Sequence, residues 1–133
     1  MLVTERTGQI RAIENGVLQT SPLITFKVSQ RSEDGLLGIT IDPQYDLNKF
    51  VYVCYSYESG DGLRDKVVRL RDNGSLLQED NVLLDTIPSA QYHAGCRVKF
   101  GPDGLLYVTT GDATRKSEAQ QVGALNGKIL RIS

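Results

Sequence analysis

Apolar and polar residues follow one another along this chain in short runs, a pattern that indicates β-strands rather than long helices. Most runs are rich in β-branched and aromatic residues and are bounded by glycine, proline, asparagine or aspartate, which is typical of strands joined by turns. The strongest run, residues 50–56, is apolar at successive positions, so we expect its sheet to be covered on both faces. The other predicted strands are residues 1–6, 9–13, 35–41, 66–71, 96–100, 105–110 and 128–133. Residues 58–64 are predicted to form a loop, and the spacing of Ser117 and Gln120 predicts a capped helical turn.

A motif of one arginine between two apolar residues occurs three times, at residues 10–12, 68–70 and 130–132. The arginines are 58 and 62 residues apart (69 − 11 and 131 − 69), and Tyr52 and Tyr107, in the preceding strands, are 55 apart (107 − 52). Repeats of about this length, each with four short strands, are typical of β-propeller blades. A β-sandwich is also built from many short strands, but the repeat favours blades.

We therefore predict an all-β fold, a partial β-propeller with about two four-stranded antiparallel blades. Propellers close a ring of about four to eight blades. Residues 1–133 are accordingly expected to be the N-terminal portion of a single, truncated propeller domain. Its uncovered blade faces would expose apolar surface, which leaves self-association through them open without requiring it.

Composition and charge narrow the classes of function. The 133 residues have a net charge of −1, which gives no electrostatic reason to expect binding to nucleic acid or to an anionic membrane. No apolar run is long enough to span a bilayer, and the first residues lack the features of a signal peptide. The cysteines, Cys54 and Cys96, fall on separate predicted strands without metal-site spacing. The sequence favours buried, unpaired thiols but leaves a disulfide open.

The residues with chemical potential lie at one end of a predicted hairpin. His93, the only histidine, precedes the strand 96–100, and Asp112 follows the strand 105–110. Because these two positions lie at the same end of a hairpin, we expect His93 and Asp112 to meet. An imidazole beside a carboxylate can act as a general base near neutral pH. The alternatives are a solvated loop histidine and an aspartate that only caps a turn.

The string HAGCRVKFGPDGLLYVTTGDA, residues 93–113, closely resembles a motif of the soluble quinoprotein glucose and aldose sugar dehydrogenases, the glucose/sorbosone dehydrogenase family. Three other blocks resemble the family in the same order: LVTERTGQIRAI, SEDGLLGITIDPQYDLNKFVYVCYS and AQQVGALNGKILRIS. The resemblance implies a six-bladed propeller that binds pyrroloquinoline quinone (PQQ) and Ca²⁺ at one end of its central channel. It also implies oxidation of the C1 hydroxyl of an aldose to a lactone, with hydride transfer to the quinone.

The resemblance also implies roles for three residues. His93 would be the general base, Asp112 the acidic residue that orients it, and Glu33 a substrate-binding residue near the sugar. A solvated loop carboxylate is the alternative for Glu33. Cys96 stands where the family more usually has glycine. No residue is assigned to a metal, because the family's calcium ligands and the basic residues that hold the quinone belong to later blades.

These implications extend to the whole protein. The 133 residues alone are expected to be inactive, and the family implies a periplasmic or secreted protein. Two other functions stay open on the sequence. One is a non-catalytic propeller segment that acts as a binding or scaffold module. The other is a metal-dependent lactonase-type propeller, which the lack of a carboxylate cluster disfavours.

Overall fold

The computed structural model describes all 133 residues, which form eleven strands in three antiparallel sheets. The N-terminal sheet contains β1 (Leu2–Glu5), β2 (Gln9–Glu14), β3 (Val17–Leu18) and β4 (Ile24–Thr25). The central sheet contains β5 (Leu36–Ile41), β6 (Phe50–Ser59), β7 (Gly62–Asp72) and β8 (Leu77–Pro88). The C-terminal sheet contains β9 (Gly95–Phe100), β10 (Leu106–Thr110) and β11 (Ile129–Ile132). Helix is limited to α1 (Tyr45–Asn48) and a 3₁₀ turn (Lys116–Gln120).

Two local predictions differ from the structure. The loop predicted at residues 58–64 is a tight hairpin, in which Ser59 pairs with Gly62 and only two residues form the turn. Gly62, the first residue after the turn, has a φ of 128°, which a residue with a side chain rarely adopts. A glycine at this position therefore allows the tight connection. The helical turn near Ser117 is present, but Arg115 occupies its N-cap and no side chain caps it, so the predicted capping box is wrong.

Strand β6 is buried on both faces, as its apolar run predicts. Successive side chains of a strand point to opposite faces, so β6 contributes to two hydrophobic clusters. Val51, Val53 and Tyr55 pack in the cluster shared with the N-terminal sheet, whereas Tyr52 and Cys54 pack in the one shared with the C-terminal sheet. The central sheet is therefore covered on both sides by its neighbours.

The sequence repeat corresponds to equivalent places in the three sheets. Tyr52 of β6 lies opposite Arg69 of β7, and Tyr107 of β10 lies opposite Arg131 of β11. Each tyrosine hydroxyl also donates a hydrogen bond to an aspartate of a nearby turn, Asp42 at 2.8 Å and Asp103 at 2.9 Å. The arginine of β2, Arg11, lies opposite Val3 of β1 in the same way. Strands β1, β6 and β10 are therefore equivalent.

This equivalence makes β5 and β9 the first strands of successive sheets, and the two lie against each other. A Cβ added to Gly38 of β5 would meet Val98 N of β9 at 2.9 Å, so the two backbones are in direct contact. Sheets that follow one another side by side, with their first strands adjacent, form the blades of a β-propeller. One complete four-stranded blade thus lies between two partial ones, which confirms the predicted fold class.

Candidate active site

The hairpin formed by β9 and β10 brings His93 and Asp112 together, as the sequence predicts. The strands pair from Phe100 opposite Leu106 to Gly95 opposite Thr110, so the residues that precede β9 and follow β10 share one rim of the sheets. His93 Nδ1 lies 2.9 Å from Asp112 Oδ1. The histidine side chain is 56% exposed and the aspartate side chain 23%.

The charge on Asp112 determines which ring nitrogen of His93 carries the proton and which one can accept a proton. The hydrogen bond with His93 is the main cause that holds the pKa of Asp112 below its usual range, and a hydrogen bond from Thr114 N–H, 2.8 Å from Asp112 Oδ1, acts in the same direction. An ionised carboxylate can only accept hydrogen bonds. Nδ1 of His93 therefore carries the proton, and in the neutral ring Nε2 is the proton acceptor.

Asn126 anchors the backbone of Asp112, a role that the sequence gave no means to predict. Its side chain is fully buried, and its Nδ2 donates to Asp112 O at 3.0 Å and to Glu118 Oε2 at 2.8 Å. In the sequence, Asn126 is simply the first residue of an Asn-Gly turn. The loop that leads from Asp112 to β11 is therefore held by a contact between residues 14 positions apart along the chain.

Three hydrogen bonds to backbone groups of His93 and Ala94 hold these two residues in place. The N–H of His93 donates to Glu33 Oε2 at 2.7 Å, the N–H of Ala113 donates to His93 O at 3.3 Å, and the N–H of Gly111 donates to Ala94 O at 2.9 Å. A Cβ at Gly111 would overlap the carbonyl oxygen of His93. Residue 111 therefore has to be glycine for the two segments to approach this closely.

Glu33, the third residue singled out in the sequence, lies at the same rim. It is exposed, and its N–H donates to Gln91 O at 2.9 Å, so its loop runs beside the segment that leads to His93. One carboxylate oxygen binds the backbone of His93. The structure thus gives Glu33 a contact with the segment of His93 that the sequence did not predict.

Cys54 and Cys96 form a disulfide, so the preference for unpaired thiols is wrong. Their Cα atoms are 5.5 Å apart, and both residues are fully buried. The bond joins β6 of the central sheet to β9 of the C-terminal sheet. Their separation of 42 residues explains why the strand pattern could not reveal the pairing.

Two buried carboxylates lie beneath the Glu33 segment. Asp34 accepts hydrogen bonds from Ser29 Oγ at 2.5 Å and Ser32 N at 2.7 Å, which outweigh its burial and hold its pKa below the usual range. Asp65 accepts one from Ser56 Oγ at 2.6 Å, but burial dominates and raises its pKa to about 6. The sequence predicted neither, because aspartate side chains are usually solvated.

The side chains of this chain do not assemble a calcium site. Calcium takes six to eight oxygen ligands, and the chain has no group of three histidine, cysteine, aspartate or glutamate residues arranged to hold a metal. Two arginines of this region have partners within the chain: Arg6 donates to Asp34 O at 2.9 Å, and Arg31 pairs with Glu58 at 2.7 Å. These two side chains are therefore not free to bind the carboxylates of a quinone.

The three antiparallel sheets are blades of a β-propeller, the fold class of this chain. The family model described as Glucose / Sorbosone dehydrogenase matches residues 1–133, the whole chain. The chain belongs to the glucose/sorbosone dehydrogenase family, as the resemblance indicated.

Individual relatives agree with this assignment. A Thermus thermophilus protein assigned as a glucose dehydrogenase shares 42% identity with a TM-score of 0.92, over 99% of this chain and 39% of its own. The PQQ-bound aldose sugar dehydrogenase of Streptomyces coelicolor shares 31% identity with a TM-score of 0.87, over 99% of this chain and 40% of its own. The aldose sugar dehydrogenase YliI of Escherichia coli is 27% identical over all of this chain and 38% of its own. The chain thus spans about 40% of the length of these relatives.

Proposed function

We propose that residues 1–133 are part of a PQQ-dependent aldose dehydrogenase that oxidises the C1 hydroxyl of a glucose-type sugar to a lactone. The observation that carries the proposal is the pair of His93 and Asp112 at an open rim, with Nδ1 of the imidazole 2.9 Å from the carboxylate. This arrangement leaves Nε2 as a proton acceptor that faces away from its partner. A base of this kind is what the removal of a proton from a sugar hydroxyl requires.

Each of the three rim residues has a separate task in this proposal. His93 Nε2 accepts the proton of the C1 hydroxyl, and Asp112 holds the ring orientation and stabilises the imidazolium that forms. Glu33 binds a substrate hydroxyl through the carboxylate oxygen that does not contact His93 N. The second bond of Glu33, to the backbone of His93, would keep the sugar-binding group and the base at a fixed distance.

The cofactors in this proposal are PQQ and Ca²⁺. PQQ, when bound, supplies the acceptor for the hydride that leaves C1. The PQQ-bound relative from Streptomyces coelicolor supports the quinone, and calcium is proposed from the family resemblance. Because the chain spans about 40% of the PQQ-bound relative, we propose that most residues that bind PQQ and Ca²⁺ belong to other parts of the whole protein.

No helix in the structure is both long and apolar enough to cross a membrane. The location of the protein is inferred from a different observation, its disulfide. The disulfide between Cys54 and Cys96 would be at risk of reduction in a reducing cytosol, and disulfides persist in oxidising compartments. We therefore propose that the protein is exported.

The test of this function is sugar-dependent dye reduction by the full-length protein reconstituted with PQQ and Ca²⁺. The proposal predicts turnover with an aldose, and a loss on the order of 10² to 10⁴-fold in kcat for His93→Ala. No turnover with any aldose after reconstitution, or an unchanged rate in His93→Ala, would rule the proposal out. Residues 1–133 alone are expected to show no turnover.

A further inference from the structure

The disulfide lies close to the proposed base. Cys96 is three residues after His93 and ties the start of β9 to Cys54, in the middle of β6. Gly38 of β5 pairs with Cys54 and touches the backbone of Cys96 and Val98. The disulfide therefore joins two neighbouring blades at the point where the chain passes from His93 into the C-terminal sheet.

Cys96 lacks a regular partner in the ladder between β9 and β10. Thr109 pairs with Arg97 and Thr110 pairs with Gly95, so the register shifts and Cys96 is the extra residue of a β-bulge. The extra residue of a bulge is left unpaired, and the bulged strand bends there. The ladder between β9 and β10 does not restrain the backbone at Cys96, but the disulfide bond of Cys96 to Cys54 does.

Unfavourable backbone conformations concentrate around the same place. Seven residues other than glycine have a positive φ, and four of them flank the hairpin: His93 (57°), Cys96 (71°), Ala113 (52°) and Thr114 (62°). The left-handed conformation is disfavoured for residues with a Cβ. It persists only where the surrounding structure holds it, as commonly happens at functional sites.

We propose that the Cys54–Cys96 disulfide is a positioning device for His93, which holds the bulge at Cys96 in its left-handed conformation and thereby keeps the imidazole against Asp112. The kinetic part of this inference rests on the proposed function, whereas the structural part does not. A disulfide that only stabilised the fold by restricting the unfolded chain would not act locally on His93.

A pair of matched variants of the full-length protein separates these roles. Cys54→Ala removes the bond and leaves a non-glycine residue with a positive φ at position 96. Cys54→Ala combined with Cys96→Gly also removes the bond, but glycine adopts this conformation without strain. Thiol titration verifies that Cys96 is a free thiol in Cys54→Ala, the double variant has neither cysteine, and all rates are measured well below the unfolding temperatures.

The first measurement is hydrogen exchange, which does not depend on activity. In Cys54→Ala we expect the amides of His93, Gly111 and Ala113 to exchange roughly tenfold faster, while amides of the ladder between β6 and β7 change far less. The glycine double variant should regain most of the protection. Unchanged exchange at these amides, or equal acceleration throughout the chain, would overturn the proposal.

The second measurement is the kinetics of the reconstituted enzyme. We expect kcat to fall roughly tenfold in Cys54→Ala with a smaller change in KM, because the base is displaced rather than the sugar-binding groups. The double variant should recover most of this loss. Equal kcat values in both variants and the wild type would contradict the positioning role. A wild-type enzyme that oxidises no aldose would instead refute the proposed function, and hydrogen exchange would still decide the positioning role.

Discussion

Asp65 is buried with one carboxylate oxygen bound to Ser56 Oγ at 2.6 Å and the other without a hydrogen-bond partner. The nearby hydroxyl of Ser89 favours the ionised carboxylate, whereas the charge of Asp34 opposes its ionisation. Burial is the main cause that raises its pKa from 3.8 to about 6. The folded protein therefore holds a proton that the unfolded chain releases between these two pH values.

The first prediction concerns the pH dependence of stability. With a raised pKa, Asp65 stabilises the fold most below pH 3.8, and this contribution is lost as the pH rises to about 6. The free energy of unfolding of Asp65→Asn, relative to wild type, should therefore increase by about 2 kcal/mol between pH 4 and pH 7. Denaturant unfolding at a series of pH values measures the difference.

Asp80→Asn is the matched control for this titration. Asp80 pairs with Arg69 and Arg71, and the hydrogen bond from Arg69 is the main cause that lowers its pKa. The sign should therefore reverse, with most of the change below pH 3.8, since the wild type loses this pairing as Asp80 is protonated there and the variant does not. If the difference between Asp65→Asn and wild type is independent of pH, the pKa of Asp65 is the same in the folded and unfolded chains, and our account of it is wrong.

The second prediction concerns the carboxylate that holds the imidazole. Asp112→Asn removes the charge that fixes the proton on His93 Nδ1, so kcat of the full-length enzyme should fall on the order of 10²-fold. Asp103→Asn is the control, because Asp103 lies at the other end of the same hairpin and binds Tyr107. It should leave kcat within about twofold. Similar losses of kcat in both variants would mean that any substitution in the hairpin lowers kcat, and that the pair at the rim has no special role.

The third prediction concerns the edge of the C-terminal sheet. Strand β11 pairs only with β10, and its Ile129 is 74% exposed. Exposed strand edges and apolar patches promote association, so residues 1–133 alone should self-associate, and Ile129→Lys should shift them towards monomer in sedimentation velocity. Leu47→Lys, at a leucine of α1 that is 85% exposed, should not. A wild-type segment that stays monomeric at all concentrations would contradict this expectation.

The extent to which the site was predictable depends on how local its contacts are. His93 and Asp112 are joined by one hairpin, so strand pattern and turn residues were enough to predict that they meet. The contacts of Glu33, Asn126 and the disulfide join segments that are far apart along the chain or belong to different sheets. Strand periodicity reports the face on which a side chain lies, but not its neighbour in the next blade.

The fold was predictable for a related reason. The pairings of Tyr52 with Arg69 and of Tyr107 with Arg131 repeat between sheets, and a structural repeat leaves a spacing in the sequence that can be counted. The burial of Asp65 leaves no such trace. Residue type alone suggests solvent exposure for an aspartate, and only the packing of β7 against its neighbours makes this one an exception.

The fourth prediction tests the close approach that brings the two sides of the site together. In Gly111→Ala, the added Cβ would overlap the carbonyl oxygen of His93, so the segments around His93 and Asp112 must separate. We expect the free energy of unfolding to fall by about 3 kcal/mol and kcat to drop on the order of 10²-fold in the protein that remains folded. Gly123→Ala is the control, because a Cβ there meets nothing within 4 Å and it should change neither quantity. If Gly111→Ala loses stability but keeps its kcat, the separation of His93 from Asp112 does not limit turnover, and the role proposed for the pair is wrong.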